Sequence, residues 1–187
     1  MHYVILAAGE SRRMGFDKTI TPLALRSPLA RITQALGRRP ALIVVPTHLS
    51  EDAARIAPAA GIVINDEQSL GMTHSLHLAL ASIERHSPFG VLLGDMPGMT
   101  EATIERTEAL LRGEVDVAFP VDPAGTPGHP VLFSARARSV VEALPFGDTV
   151  RSARDNATLR RATWCCADRS AFLDLDVPED WNAFTDA

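Results

Sequence analysis

The spacing of hydrophobic positions changes period along the chain, and each change marks an element. Runs rich in Val, Ile and Leu at residues 3–8, 41–46, 61–64 and 89–94 are too short for helices and predict buried strands. Between them, residues 28–38, 50–57 and 72–86 carry helical spacing. In the last of these, Leu76, Leu80 and Ile83 recur at steps of four and three and form one apolar face. Ser50, followed by Glu51 and Asp52, predicts a capped start for the second helix. Thr100 is expected to cap a further helix that continues through residues 103–111. Strands alternating with crossover helices imply a mainly parallel sheet covered on both faces, a single Rossmann-like three-layer α/β/α domain over residues 1–187. Beyond residue 115 the pattern loosens into strands at 115–121, 130–133 and 162–167, a Pro/Gly loop at 122–128, and helices at 134–144 and 178–184. Pro178 stands in the first turn of that last helix.

The first strand empties into a turn of small and basic residues: Leu6, Ala7, Ala8, Gly9, Ser11, Arg13, Gly15 and Lys18. Gly9 and Gly15 are expected to reach positive φ and to turn backbone N–H groups toward an anion. Arg13 and Lys18 add full positive charge, which suits a polyphosphate. The glycine spacing fits neither the dinucleotide fingerprint nor the Walker loop.

Composition adjusts this picture in small ways. A chain of 187 residues suits one domain with a core large enough to need no disulfide or metal staple. The net charge of −5 argues against general nucleic-acid binding, so the positive charge of the first loop is local. No stretch approaches the ~20 apolar residues of a membrane span. Met1-His2-Tyr3-Val4 lacks a charged leader and a cleavable apolar region, so a cytoplasmic protein is expected. The two cysteines, Cys165 and Cys166, are neighbours that would point to opposite faces of a strand and are expected to be structural thiols.

Ligands of open α/β sheets collect at the C-terminal ends of the strands, and three constellations fall there. Asp95 ends the apolar run before Met96-Pro97, where its carboxylate would face the basic loop and could hold Mg²⁺; the plain alternative is a helix cap, a role Thr100 already fills. Asn65, Gly71, Thr73 and Ser75 stand at or before the start of the third helix, whose free N–H groups can meet polar ligand atoms, although Thr73 could simply cap it. Asp174 and Asp176 share one face of an extended run. Asp176 could be a second metal carboxylate opposite Asp95, whereas Glu179 and Asp180 suit a solvated helix start. Gly128 and Pro130 form a sharp turn that would hold His129 at a loop end, outside the core.

These segments resemble the nucleotidyltransferases that act on molybdopterin. The loop matches L-A-A-G-x-S-x-R-M-G-x-x-K at every fixed position, and Leu92-Leu93-Gly94-Asp95-Met96-Pro97 matches L-x-G-D-M-P. Asn65 through Leu76 follows N-x-x-x-x-x-G-M-x-x-S-L, with Asp66 and Gln68 in place of the common Pro and Trp. Residues 174–180 follow D-[VIL]-D-T-P-E-D with Val177 for threonine, and residues 128–133 read G-H-P-V-L-F, as in the cytidylyl branch. The resemblance implies a GT-A-like fold. It implies nucleotide contacts from Leu6, Ala7, Ala8, Gly9, Ser11, Arg13, Lys18, Asn65, Gly71 and Ser75, and Mg²⁺ held by Asp95 and Asp176. It further implies catalytic roles for Arg13, Lys18 and Asp95, and acceptor contact from His129. Residues 1–114 would form the nucleotide half and 115–187 the acceptor half. One departure stands out: the family's G-D-x-G-x-R becomes Gly147-Asp148-Thr149-Val150-Arg151-Ser152, on the side expected to face the acceptor and away from the nucleotide.

An acceptor phosphate monoester brings its own nucleophile, since its second pKa is ~6, so no general base is needed. The demand is positioning and charge neutralisation at the α-phosphorus. The expected reaction is transfer of CMP from CTP to the phosphate of molybdopterin with release of pyrophosphate, with a molybdoenzyme as a possible recipient partner. CTP is favoured because Ala8 replaces a glycine of the guanylyl branch, while Asp17-Lys18 resembles that branch. A guanylyltransferase, a sugar-phosphate nucleotidyltransferase and a non-catalytic nucleotide- or cofactor-binding module stay open.

Overall fold

A computed structural model describes residues 1–9, 15–23, 25–176 and 180–181. The chain opens with strand β1 (His2–Leu6), helix α1 (Pro28–Leu36), β2 (Ala41–Val45), α2 (Ser50–Ile56), β3 (Gly61–Ile64), α3 (Gly71–Leu80) and β4 (Phe89–Leu93). It continues with α4 (Glu101–Glu108), β5 (Val117–Val121), β6 (Val131–Phe133), α5 (Arg138–Glu142), α6 (Val150–Arg154) and β7 (Arg161–Cys165). The described strands form one sheet in the order β3-β2-β1-β4-β6-β5-β7. All neighbours are parallel except β6, which runs antiparallel to both β4 and β5.

Alternation along β1 explains the three layers. Val4, Leu6 and Ala8 point into a core with α3, α5 and α6, through Leu76, Ala79, Leu80, Val141, Val150 and Ala153. Tyr3, Ile5 and Ala7 point the other way, onto Leu29, Ile32, Leu36, Ala53 and Ile104 of α1, α2 and α4. A strand buried on both faces must be apolar throughout, as this one is. Each large side chain buried this way contributes about 1.5–3 kcal/mol. At the foot of β1, the Tyr3 hydroxyl donates to Glu108 at 2.7 Å, and Arg39 binds the same carboxylate through Nε at 3.1 Å. Burial, with Glu108 beside it, pushes the Tyr3 hydroxyl far above its usual pKa.

Several sequence expectations are corrected. Ser50 does not cap α2: a 3-10 turn, Thr47–Leu49, precedes that helix, and the Ser50 hydroxyl donates to the Thr47 carbonyl. The exposed start of that turn is satisfied instead by Asp66, whose carboxylate accepts from Thr47 N at 2.8 Å and Thr47 Oγ1 at 2.6 Å. The third helix stops at Leu80, six residues early, because the buried Arg138 guanidinium takes up the carbonyls of Leu80, Ile83 and Glu84. Helix α6 was not foreseen, since five residues are too few to show a period. The expected helix at 178–184 lies outside the described residues, apart from 180 and 181. Cys165 is exposed and Cys166 buried, both free, as opposite faces require. Among the described residues, no helix is long and apolar enough to cross a membrane.

Candidate active site

The C-terminal ends of β1 and β4 lie side by side, with the Gly94 N–H donating to the Leu6 carbonyl at 2.9 Å. A Cβ on Gly94 would stand 2.8 Å from that of Ala7, so glycine lets the two strand ends close together. From this junction the chain leaves toward Gly9 on one side and Asp95 on the other. The cleft above it has a volume of about 310 Å³. Its walls include Leu6, Ala7, Ala8, Gly9, Lys18, Gly71, Ser75 and Asp95, so most of the residues anticipated for nucleotide contact surround one cavity.

Lys18 organises the charged end. Its Nζ lies 2.7 Å from Asp95 Oδ2 and 3.0 Å from Asp176 Oδ1. Burial lowers the Lys18 pKa, but hydrogen bonds and charge from Asp95 and then Asp176 more than offset it, and the net shift is upward. Residues 173–176 form no strand, yet the expected alternation survives: Leu175 is buried between exposed Asp174 and Asp176. The Leu175 N–H donates to the Asp95 carbonyl at 3.1 Å, and this backbone bond brings the two acids together. Burial, reinforced by Asp176 and Asp95, pushes the Asp174 carboxyl up. Ser11 and Arg13 lie outside the described residues.

The other end of the cleft rests on neutral hydrogen bonds. Asn65 is buried and stands behind Ser75, to which its Nδ2 donates at 2.7 Å, while its Oδ1 accepts from Glu67 N at 2.9 Å. Ser75 lines the cleft, and Asn65 is bonded to it from behind. Thr73 does not cap α3; its hydroxyl donates to the Asp148 carbonyl. Gly71 adopts φ +82, and a Cβ there would stand 3.3 Å from Gly147 Cα. Together with the Gly147 N–H donating to the Leu70 carbonyl at 3.1 Å, this docks the departing 147–152 segment onto the start of α3. The segment expected on the acceptor side thus packs against the start of α3. That partner is distant in sequence, which local pattern could not reveal.

Two further expectations change. Gly15 takes φ +73, but Gly9 stays outside the left-handed region. His129 is held at the turn, but its ring is not free of the core. It is half-buried, with Nδ1 bonded to the Val91 carbonyl at 3.0 Å. Burial lowers its pKa despite the opposing pull of the Val91 carbonyl and Asp95, which favours the neutral ring donating Nδ1–H. His129 does not appear in the wall of the cleft, whereas Gln68, Met72, Thr19 and Leu93 do. The replacement of the family's tryptophan by Gln68 was the available signal for that position.

A mainly parallel sheet with a cleft above the ends of its β1 and β4 strands, and an acid–base cluster at that cleft, defines an α/β domain of the nucleotide-binding type. Residues 3–162 match the MobA-like NTP transferase domain, and the chain belongs to that family. Bifunctional protein GlmU of Paraburkholderia phymatum is 37% identical over 111 residues, 57% of this chain and 24% of that protein. The chain thus spans about a quarter of the length of the curated relatives it matches. Among solved structures, the Mycobacterium tuberculosis Rv0371c homologue from Mycobacterium sp. strain JC1 has a TM-score of 0.82 at 25% identity, covering 99% of this chain and 94% of that one. Rv0371c of M. tuberculosis H37Rv in complex with manganese gives 0.74 at 22%, covering 100% and 98%. Molybdopterin-guanine dinucleotide biosynthesis protein A of Archaeoglobus fulgidus gives 0.66 at 15%, covering 100% and 97%. At those last two identities the likeness is one of fold.

Proposed function

We propose that this chain is a divalent-metal-dependent nucleotidyltransferase that moves CMP from CTP to the phosphate of molybdopterin and releases pyrophosphate. The observation that carries this reading is the meeting of Asp95, Asp176 and Lys18 at the mouth of a cleft walled by Gly9 and Gly71. The donor set fits Mg²⁺: two carboxylates already converge on one cation, here an ammonium, and Mg²⁺ is usually held by one or two carboxylates plus substrate phosphates. The manganese bound by the structurally similar Rv0371c supports a cation of this class. Bound by Asp95 and Asp176, it would draw charge from the phosphates.

The chain's own residues supply the rest. N–H groups at Gly9 and at the start of α3 would receive polar atoms of the nucleotide. Lys18, and Arg13 beyond the described residues, would neutralise the charge that grows on the leaving pyrophosphate. Ser75, fixed by Asn65, would meet the base or ribose. The acceptor phosphate attacks without a general base, because it is already largely dianionic at neutral pH. The 115–187 half, with His129, would face that acceptor.

Ala8 in the cleft wall supports CTP, since its methyl group would leave less room there than the glycine of the guanylyl branch. A guanylyltransferase is the second reading, favoured by Asp17-Lys18 and by the molybdopterin-guanine role named for the similar A. fulgidus protein. A panel of four nucleoside triphosphates with Mg²⁺ and molybdopterin, read by pyrophosphate release, tests both. CTP is expected to lead and EDTA to abolish the signal. Release led by GTP would favour the second reading, and release that ignores EDTA would sink the metal role.

A further inference from the structure

The main chain at Asp95 and Asp176 is held by contacts that do not involve Lys18. The Leu175 N–H binds the Asp95 carbonyl at 3.1 Å, and the Asp176 N–H binds Asp180 Oδ2 at 3.0 Å. The main chain that carries the two acids is thus positioned without Lys18, and both carboxylates reach the one ammonium. Lys18 is only 12% exposed, against 21% for Asp95 and 53% for Asp176, so it fills the inner side of the pair. Resting on the reading of this site as a metal-dependent nucleotidyltransferase, we propose that Lys18 is a resident counter-cation that must leave the carboxylates before a divalent cation can take them.

The physical case is one of competition. An ammonium and a divalent cation held against the same two carboxylate oxygens repel one another, so each weakens the other's hold on the pair. Lysine suits the exchange: its charge is a compact point on a flexible four-carbon stem, with no fixed fork to break. It already lines the nucleotide cleft, so a triphosphate entering beside Gly9 offers the displaced ammonium a more highly charged partner. The nucleotide then draws Lys18 off the acids as the metal arrives on them. By linkage, each strengthens the other's binding by the same factor. The metal alone binds weakly, the nucleotide alone binds weakly, and the two load together.

The test is Mn²⁺ binding without nucleotide, followed by the electron paramagnetic resonance of the free ion, for the wild type and Lys18→Met. Methionine keeps the stem length and removes the charge; Lys18→Gln is the second variant and must shift in the same direction. The expected result is Mn²⁺ affinity raised about tenfold in both variants, within the roughly 5–150-fold range of coupled sites. Added CTP should tighten Mn²⁺ strongly in the wild type and much less in the variants. If Asp95→Asn abolishes Mn²⁺ binding yet both Lys18 variants bind it no more tightly than the wild type, the exchange is wrong and the metal site stands. If no form binds Mn²⁺ with or without CTP, the metal-dependent reading falls, and the exchange falls with it.

Discussion

The two ends of the cleft are built on different physical terms. At one end Lys18, Asp95 and Asp176, far apart in sequence, meet as charges at a partly open mouth. At the other, Asn65, Ser75, Thr73 and the 147–148 turn lock together through neutral hydrogen bonds around the start of α3. Partly exposed ion pairs contribute little to stability. Buried polar groups that lose a partner cost about 1–3 kcal/mol. The charged end can thus be spent on chemistry, while the neutral end sets shape and contributes to the fold. Substitutions at the first should fall on turnover, and at the second on affinity, selectivity and stability.

The largest effect is expected at the charged end. Asp95→Asn keeps size and hydrogen bonding but loses the charge that would hold the metal, so kcat should fall on the order of 10²-fold or more. Lys18→Ala should lower kcat comparably and raise KM, because charge on the leaving group grows in the transition state. Thermal melting should show both variants folded. A change in KM alone would reduce this end to a binding feature.

Next comes selectivity. Ala8→Gly removes the methyl group that would crowd a purine and should shift the CTP/GTP ratio in kcat/KM toward GTP. One methyl group in a pocket is worth about 1–3 kcal/mol, or roughly 10–200-fold. An unchanged ratio would move base choice to Gln68 and Ser75.

Asn65→Ala sharpens the contrast from the neutral side. It strands the Ser75 hydroxyl and the Glu67 N–H, so it should lower stability by about 1–3 kcal/mol and raise nucleotide KM, with kcat little changed. A loss of kcat equal to that of Asp95→Asn would erase the distinction between the two ends.

The smallest effect lies in acid, away from the cleft. Burial raises the Asp116 pKa, but the Arg160 N–H, Arg136 and Ser134 outweigh it, and the net shift is downward from its ordinary 3.8. A carboxyl depressed on folding contributes stability above its unfolded pKa and loses it as pH falls through the folded one. Asp116→Asn should therefore destabilise at pH 7, and the two melting curves should converge below about pH 3.8. A constant gap across that range would assign the effect to hydrogen bonding alone.

The parallel half of the sheet was legible because strands buried on both faces must be continuous apolar runs: β1, β2, β3 and β4 end within two residues of their predicted bounds. The second half was less so. Strand β6 is three residues long, and its antiparallel insertion between β4 and β5 depends on pairing that no local pattern records. Asp95 could be singled out from residue type and its place just past β4, whereas Lys18 and Asp176 stand at no strand end and are singled out by residue type and motif. The Leu175–Asp95 bond that joins the two acids could not be read, nor could the docking of residues 147–148 on α3, because both are contacts between segments distant in sequence. Thr73 and Ser50 misled for one reason: a hydroxyl near a helix start has several partners within reach, and here tertiary or turn carbonyls won.

The central claim is that this cleft joins a nucleotide to a phosphorylated acceptor. Its most direct test incubates the protein with CTP, Mg²⁺ and molybdopterin and measures pyrophosphate beside the mass of the pterin product. The account predicts one pyrophosphate for each molybdopterin that gains CMP, and neither product with Asp95→Asn. A wild-type protein that binds CTP yet releases no pyrophosphate with any phosphorylated pterin or sugar would contradict it and leave a nucleotide-binding module in its place.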